Sequence, residues 1–127
     1  MKAVVKTAPG YDNMVYQDIP EPEAVGDLVK IKIAYSGICG TDLHAFKGSY
    51  ASTKPPVVLG HEFSGIVTAV GPDVKHVKVG DRVTSETTFA TCGHCSSCAS
   101  KDYNLCSNRR GIGTQINGSM AEYVVSR

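Results

Sequence analysis

Four cysteines crowd one short stretch of the chain: Cys92, Cys95, Cys98 and Cys106 follow the spacing C-x2-C-x2-C-x7-C within TCGHCSSCASKDYNLC. Three thiols in seven residues cannot all pack as small hydrophobes, whereas two-residue gaps let successive Cβ atoms turn inward around one ion, the arrangement tetrahedral zinc requires. A fifth cysteine, Cys39, lies far upstream. An odd total leaves one thiol without a disulfide partner, and in a reducing compartment such a cluster reads as a metal site. A bacterial ferredoxin motif opens with the same C-x2-C-x2-C run, but its next cysteine follows after three residues and precedes proline; here Cys106 follows after seven and precedes Ser107, which favours zinc. Four thiolates leave the ion no open position, so this lobe, at about residues 90–110, is expected to stabilise the fold rather than to react. Lys101, Arg109 and Arg110 lie close in sequence, where they can offset its negative charge.

The remainder reads as short strands. From Asp27 to Ser36, Val29, Ile31, Ile33 and Tyr35 alternate with Lys30, Lys32, Ala34 and Ser36, the period of a half-buried strand. Lys2 to Lys6, Phe63 to Val70, Asp81 to Thr88 and Met120 to Val125 are predicted as strands on composition and flanking turn residues. The one helical candidate runs from Thr41 to Phe46, and thirteen Gly with six Pro fit a loop-rich, mainly β chain. At 127 residues, one domain with one modest core is expected. Thirteen Lys or Arg against twelve Asp or Glu give no basic field, so nucleic acid is not an expected partner. Apolar runs such as Val57 to Leu59 are far shorter than the roughly twenty residues that span a bilayer. The N-terminal residues lack the apolar core of a secretory signal, and a cytoplasmic location is the resulting expectation.

A second constellation involves Cys39, in Gly37-Ile-Cys-Gly-Thr-Asp-Leu-His44, and His61 with Glu62, in Val58-Leu-Gly-His-Glu62. An isolated cysteine is ordinarily buried filler and a histidine beside glycine an ordinary loop residue. From Gly60 onward, however, the chain fits G-H-E-x2-G-x5-G-x2-V, with Gly65, Gly71 and Val74 in place, followed by Gly80-Asp81-Arg82-Val83. This resembles the signature of zinc-containing alcohol dehydrogenases of the medium-chain family. The likeness runs in order along nearly the whole chain, to Gly118-Ser-Met-Ala-Glu-Tyr-Val124, and is nearest to the sorbitol (polyol) and threonine dehydrogenase branches.

The resemblance implies a mainly β fold, a partly open GroES-like barrel with short helices and the zinc lobe as an appendage. It implies a catalytic zinc on Cys39 and His61, with Glu62 as ligand or close partner, and a structural zinc on the four lobe cysteines. Thr41 and His44 resemble the hydroxyl and imidazole that pass the alcohol proton toward solvent through the cofactor ribose, and Phe46 and Tyr50 are candidates to line the substrate pocket. The implied substrate is a small polyol or other secondary alcohol, with NAD or NADP as hydride acceptor. No G-x-G-x-x-G run follows a strand, so the dinucleotide-binding Rossmann domain is expected beyond Arg127, together with a further zinc ligand. Residues 1–127 are then the substrate-side domain, inactive alone and part of a homo-oligomer when full length.

The chemistry agrees with the motif. Thiolate plus imidazole is a borderline-soft pair that suits zinc, and an added carboxylate or water leaves an exchangeable position. His61 and Glu62 are consecutive and cannot face one side of a regular strand, so joint coordination needs a bend, which Gly60 permits. A Thr hydroxyl donates and accepts at once, and His titrates near neutrality, as a proton relay demands. Asp42 is expected to serve the helix N-terminus rather than catalysis. His76 and His94 carry no supporting pattern and are expected to be exposed. Two other classes share part of these features, a stand-alone zinc-binding interaction module and an iron-sulfur electron carrier.

Overall fold

The computed structural model describes residues 1–127. Strand β1 (Lys2–Lys6) lies at the centre of a three-stranded antiparallel sheet, between β2 (Met14–Asp18) and β4 (Val57–Val58). A four-stranded sheet contains β3 (Val29–Ser36), β5 (Phe63–Val70), β6 (Arg82–Thr84) and β9 (Tyr123–Ser126) in the order β6-β5-β3-β9. A separate pair, β7 (Thr88–Ala90) with β8 (Arg110–Gly111), brackets the cysteine lobe. The helices are α1 (Gly40–Phe46) and α2 (Ser96–Ala99), with one 3-10 turn at Tyr103–Leu105. A bridge from Ala3 to Ala121 joins the two larger sheets, yet no ring of strands closes, so the barrel is partly open as expected. No helix is long and apolar enough to cross a membrane.

The main core is where β3, β5 and β9 turn inward: Val29, Ile31, Phe63, Val67 and Val124, joined by Ile112. Each such side chain contributes on the order of 1.5–3 kcal/mol by leaving water. A smaller cluster of Ala45, Val57 and Leu59, with Met14 and Met120 against it, seats α1 on the chain that leads to His61. The buried Lys6 reinforces that seat, its ammonium donating to the carbonyls of Gly10 and Asp12 and, at 3.4 Å, to that of Phe46 at the end of α1.

Several elements depart from expectation. The alternation in β3 serves the core only at its start, because Ile31 is buried while Tyr35 is 80% exposed. Register with β5 slips between Ile33 and Tyr35, and this bulge turns the strand end outward. The strand expected over residues 81–88 divides in two, since Arg82–Thr84 pairs with β5 whereas Thr88–Ala90 pairs with β8. Strand β9 begins three residues late. Met120 and Ala121 pair instead with the first sheet, Val4 N–H donating to the Met120 carbonyl at 2.8 Å. Strand β2 had no sequence signal: all its residues but the partly buried Met14 are exposed, and only its pairing with β1 makes it a strand.

Candidate active site and metal centres

Helix α1 starts at Cys39, which is extended (φ −87°, ψ 160°) and occupies the N-cap. Three residues on, the Asp42 carboxylate turns back and accepts the Cys39 N–H at 2.9 Å through Oδ2. Its other oxygen, Oδ1, accepts the N–H of Gly60 at 3.1 Å. Asp42 is only 5% exposed, so one buried carboxylate fastens the Cys39 turn to the residue before His61. The same Oδ1 lies 3.7 Å from His61 Nδ1, a buried nitrogen with no hydrogen-bond partner. With Nδ1 turned toward a carboxylate, Nε2 is the ring nitrogen left for a ligand.

Gly60 has φ +90°, and a Cβ there would lie 2.7 Å from Ser119 Oγ and 2.9 Å from the Met120 nitrogen. Only glycine makes this bend without displacing the neighbouring chain. The result is the convergence the sequence called for: donor atoms of Cys39, His61 and Glu62 all lie within 4.8 Å of one another. Gly37 N–H donates to the Glu62 carbonyl at 2.7 Å, and a side chain on Gly37 would come within 3.1 Å of Glu62 Oε2. The carboxylate therefore occupies space that Gly37 leaves open.

His61 and Glu62 open onto a cavity of about 300 Å³ whose wall includes Thr41, Tyr50, Thr114 and Arg109. Thr41 Oγ1 lies 3.7 Å from Cys39 Sγ. His44 is exposed and outside this wall, with Nδ1 3.2 Å from Ser49 Oγ. Phe46, a candidate for the pocket lining, instead packs edge-on against Tyr11 at a ring-centroid distance of 5.0 Å, because the end of α1 is held to the loop before Asp12, whose N–H donates to the Phe46 carbonyl at 2.8 Å. His76 and His94 are exposed, as expected.

In the lobe the four sulfurs likewise lie within 4.8 Å of one another. Cys92 Sγ stands 3.6 Å from Cys106 Sγ and 4.0 Å from Cys98 Sγ, and Gly93 makes the tight turn at φ +77°. The backbone N–H groups of His94 and Cys95 pull the Cys92 thiol down to about 6. Cys95 is pushed up to about 11; the backbone N–H of Cys98 favours its thiolate, but the sulfurs of Cys98, Cys92 and Cys106, together with burial, outweigh it. Such crowding of sulfur is what a divalent cation relieves. Two contacts tie the lobe to the barrel: Tyr103 OH donates to Glu86 Oε1 at 2.9 Å, and Arg109 Nη1 donates to Thr88 Oγ1 at 3.2 Å.

Two residues of this site were not foreseen. The sequence marks Asp42 only for the helix start, where its position three residues after the N-cap is a capping-box signal, and the link to Gly60 carries no sequence signal at all. Arg109 shows in the sequence only as a charge near the lobe.

A partly open β-barrel with two cysteine-centred clusters, one beside a cavity and one closed on itself, defines the class. The chain belongs to the alcohol dehydrogenase GroES-like domain family, whose pattern matches residues 26–127. It is 63% identical to a D-arabitol-phosphate dehydrogenase of Enterococcus avium, over all of this chain and 36% of that protein. It is 52% identical to a sorbitol dehydrogenase of Halalkalibacterium halodurans, over all of this chain and 37% of that protein. The chain thus spans little more than a third of the curated relatives it matches. Among solved structures, a Sinorhizobium meliloti protein described as a zinc-binding dehydrogenase bound to NADP superposes with a TM-score of 0.90 at 39% identity, covering 98% of this chain and 35% of that one. Neither the stand-alone zinc module nor the iron-sulfur carrier is favoured by these likenesses.

Proposed function

We propose that the protein containing this domain is a zinc-dependent dehydrogenase that transfers hydride between a polyol or other secondary alcohol and NAD or NADP. The observation that carries the reading is the meeting of Cys39 with His61 and Glu62, the latter two at the wall of a cavity that also includes Thr41. Thiolate, imidazole and carboxylate form a donor set that fits zinc, and the partnerless His61 Nδ1 beside Asp42 fits an imidazole oriented for a metal. Cys39, His61 and Glu62 would hold the catalytic ion, and Cys92, Cys95, Cys98 and Cys106 a structural one. When bound, zinc supplies Lewis acidity at the alcohol hydroxyl and the nicotinamide supplies the hydride acceptor.

The chain's own residues supply the proton path and the pocket. Thr41 Oγ1 would accept the proton of the substrate hydroxyl while releasing its own toward solvent, where the exposed His44, three residues further along α1, would take that proton up on its imidazole. Tyr50 and Thr114 shape the wall. The names of the Enterococcus avium and Halalkalibacterium halodurans relatives support a polyol, free or phosphorylated. Residues 1–127 act as the substrate-side domain, while the dinucleotide site, homo-oligomer contacts and a cytoplasmic setting belong to the whole protein.

The test is steady-state oxidation of polyols by the full-length protein with NAD or NADP across pH 6 to 9. Thr41→Ala should lower turnover about 10²- to 10⁴-fold with zinc content unchanged, since Thr41 is not a ligand. A variant turning over at the wild-type rate with both ions bound would remove Thr41 from the proton path.

A further inference from the structure

The cavity beside His61 and Glu62 is walled on one side by Arg109, and a neighbouring recess of about 390 Å³ shares both Arg109 and Thr87 with it. Arg109 therefore stands where the two spaces meet. The recess adds Lys101, Asn104 and Glu86 to its wall.

Neither cation is neutralised by the protein. The ion pairs of the chain are Lys2–Asp18, Lys30–Glu21, His61–Asp42, Lys78–Asp81 and Arg127–Asp27, none of which involves Arg109 or Lys101. The Arg109 guanidinium donates to Thr88 Oγ1 at 3.2 Å, which fixes the group while most of its donors stay free. Its backbone is fixed too: Arg109 N–H donates to the carbonyl of Cys106, the last lobe cysteine, at 3.0 Å, and the next residue pairs with Ala90 in the β7–β8 ladder. A guanidinium held at both ends of its residue, facing a polar cavity and lacking a carboxylate partner, is built to receive an anion.

We propose that Arg109, assisted by Lys101, binds the phosphate of a phosphorylated polyol whose carbinol end lies at Cys39, His61 and Glu62; this rests on the dehydrogenase reading of the cavity. Phosphate fits better than carboxylate. A phosphate monoester offers three acceptor oxygens, enough to engage a guanidinium and an ammonium at once, whereas a carboxylate offers two. Glu86 lines the same recess, but its oxygens accept the Tyr103 hydroxyl at 2.9 and 3.2 Å, and against Arg109 and Lys101 it leaves the recess net positive. The closed cysteine lobe thereby gains a second consequence, since the turn from Cys106 places Arg109 at the substrate cavity.

The experiment compares full-length wild type, Arg109→Ala and Arg109→Lys on a pentitol phosphate, the same pentitol unphosphorylated, and L-threonine, with calorimetric binding of the pentitol phosphate measured in parallel. Wild type should prefer the phosphate ester, and Arg109→Ala should reduce that preference about 10- to 100-fold, mainly through KM. Arg109→Lys should keep part of it, because the charge remains and the two-pronged donor geometry is lost. Equal losses on ester and free pentitol, no loss on either, or a defect confined to L-threonine would overturn the assignment. If wild type oxidises none of the three, the dehydrogenase reading fails separately. Binding then decides: loss of pentitol phosphate affinity in Arg109→Ala upholds the phosphate site, and equal affinity in both proteins overturns it.

Discussion

Around the lobe, four sulfurs gather from one continuous stretch, Cys92 to Cys106, and their meeting needs little beyond Gly93 and two short helical turns. Around the cavity, the donor atoms come from Cys39 on one side and His61 and Glu62 on the other, and they meet only because Asp42 and Gly60 join two distant loops. The lobe is closed by its own sulfurs; the cavity site is open to solvent along Thr41, Tyr50 and Arg109. A local cluster of soft ligands makes a site that folds with its metal, whereas a site assembled across the fold inherits its geometry from packing and can leave a position free. The lobe's exit turn sets Arg109, so the two regions are also mechanically joined.

The largest effect should come from Cys95→Ser. A hydroxyl cannot replace a thiolate, and metal binding in such lobes supplies on the order of 10 kcal/mol, so melting should fall by about 10 °C or more with the loss of one zinc. Zinc analysis with thermal unfolding is the check, and a variant with full zinc and unchanged melting would end the structural assignment. Cys39→Ser should remove only the other ion and leave melting nearly unaltered. If either substitution emptied both sites, the division into two regions would be wrong.

A smaller loss is expected from Asp42→Ala, which strands the N–H groups of Cys39 and Gly60 in a buried setting. The cost should be about 2–4 kcal/mol, with zinc affinity at the cavity site reduced about 10- to 100-fold and the lobe's zinc retained. Denaturant unfolding and metal titration read the two effects separately. Asp42→Asn, which keeps one acceptor oxygen, should fall between; a neutral Asp42→Ala would show that packing of Ala45 on Val57 and Leu59 aligns the loops unaided.

The least effect belongs to Lys2→Ala, far from both regions. The Lys2 ammonium holds the Asp18 carboxyl below the usual carboxylate range through a hydrogen bond, yet both groups are exposed. Because the folded Asp18 pKa is lowered, any stabilisation exists above the ordinary aspartate range and fades as pH falls through the lowered value. Thermal unfolding at pH 7 and pH 3 should show no resolvable difference from wild type at either pH. A shift comparable with that of Asp42→Ala would make the outer sheet edge as consequential as the site.

Residues that carry their partners close by in sequence were legible before the fold was known. Strands Lys2–Lys6 and Phe63–Val70 sit where composition and turn residues placed them, the helix starts one residue ahead of the expected Thr41, and the lobe's four sulfurs meet as C-x2-C-x2-C-x7-C requires. The bend at Gly60 was readable because two consecutive candidate ligands cannot share one face of a strand without it. The spacing, periodicity and residue chemistry of one chain segment restrict the directions its side chains can take, so this information is already present at short range.

Tertiary structure alone decided what depends on a second segment. The slip between Ile33 and Tyr35 exposes a tyrosine whose alternation marked it for the core, and β2 exists through its ladder with β1. Phe46 found Tyr11 rather than the pocket, Asp42 found Gly60, and Arg109 found the cavity beside His61 and Glu62. Each of these contacts joins residues whose separation along the chain says nothing about their distance in space. Their meeting is set by the packing of α1 on β4, the pairing of β7 with β8 and the joining of the two larger sheets at Ala3 and Ala121, which cooperative folding alone supplies.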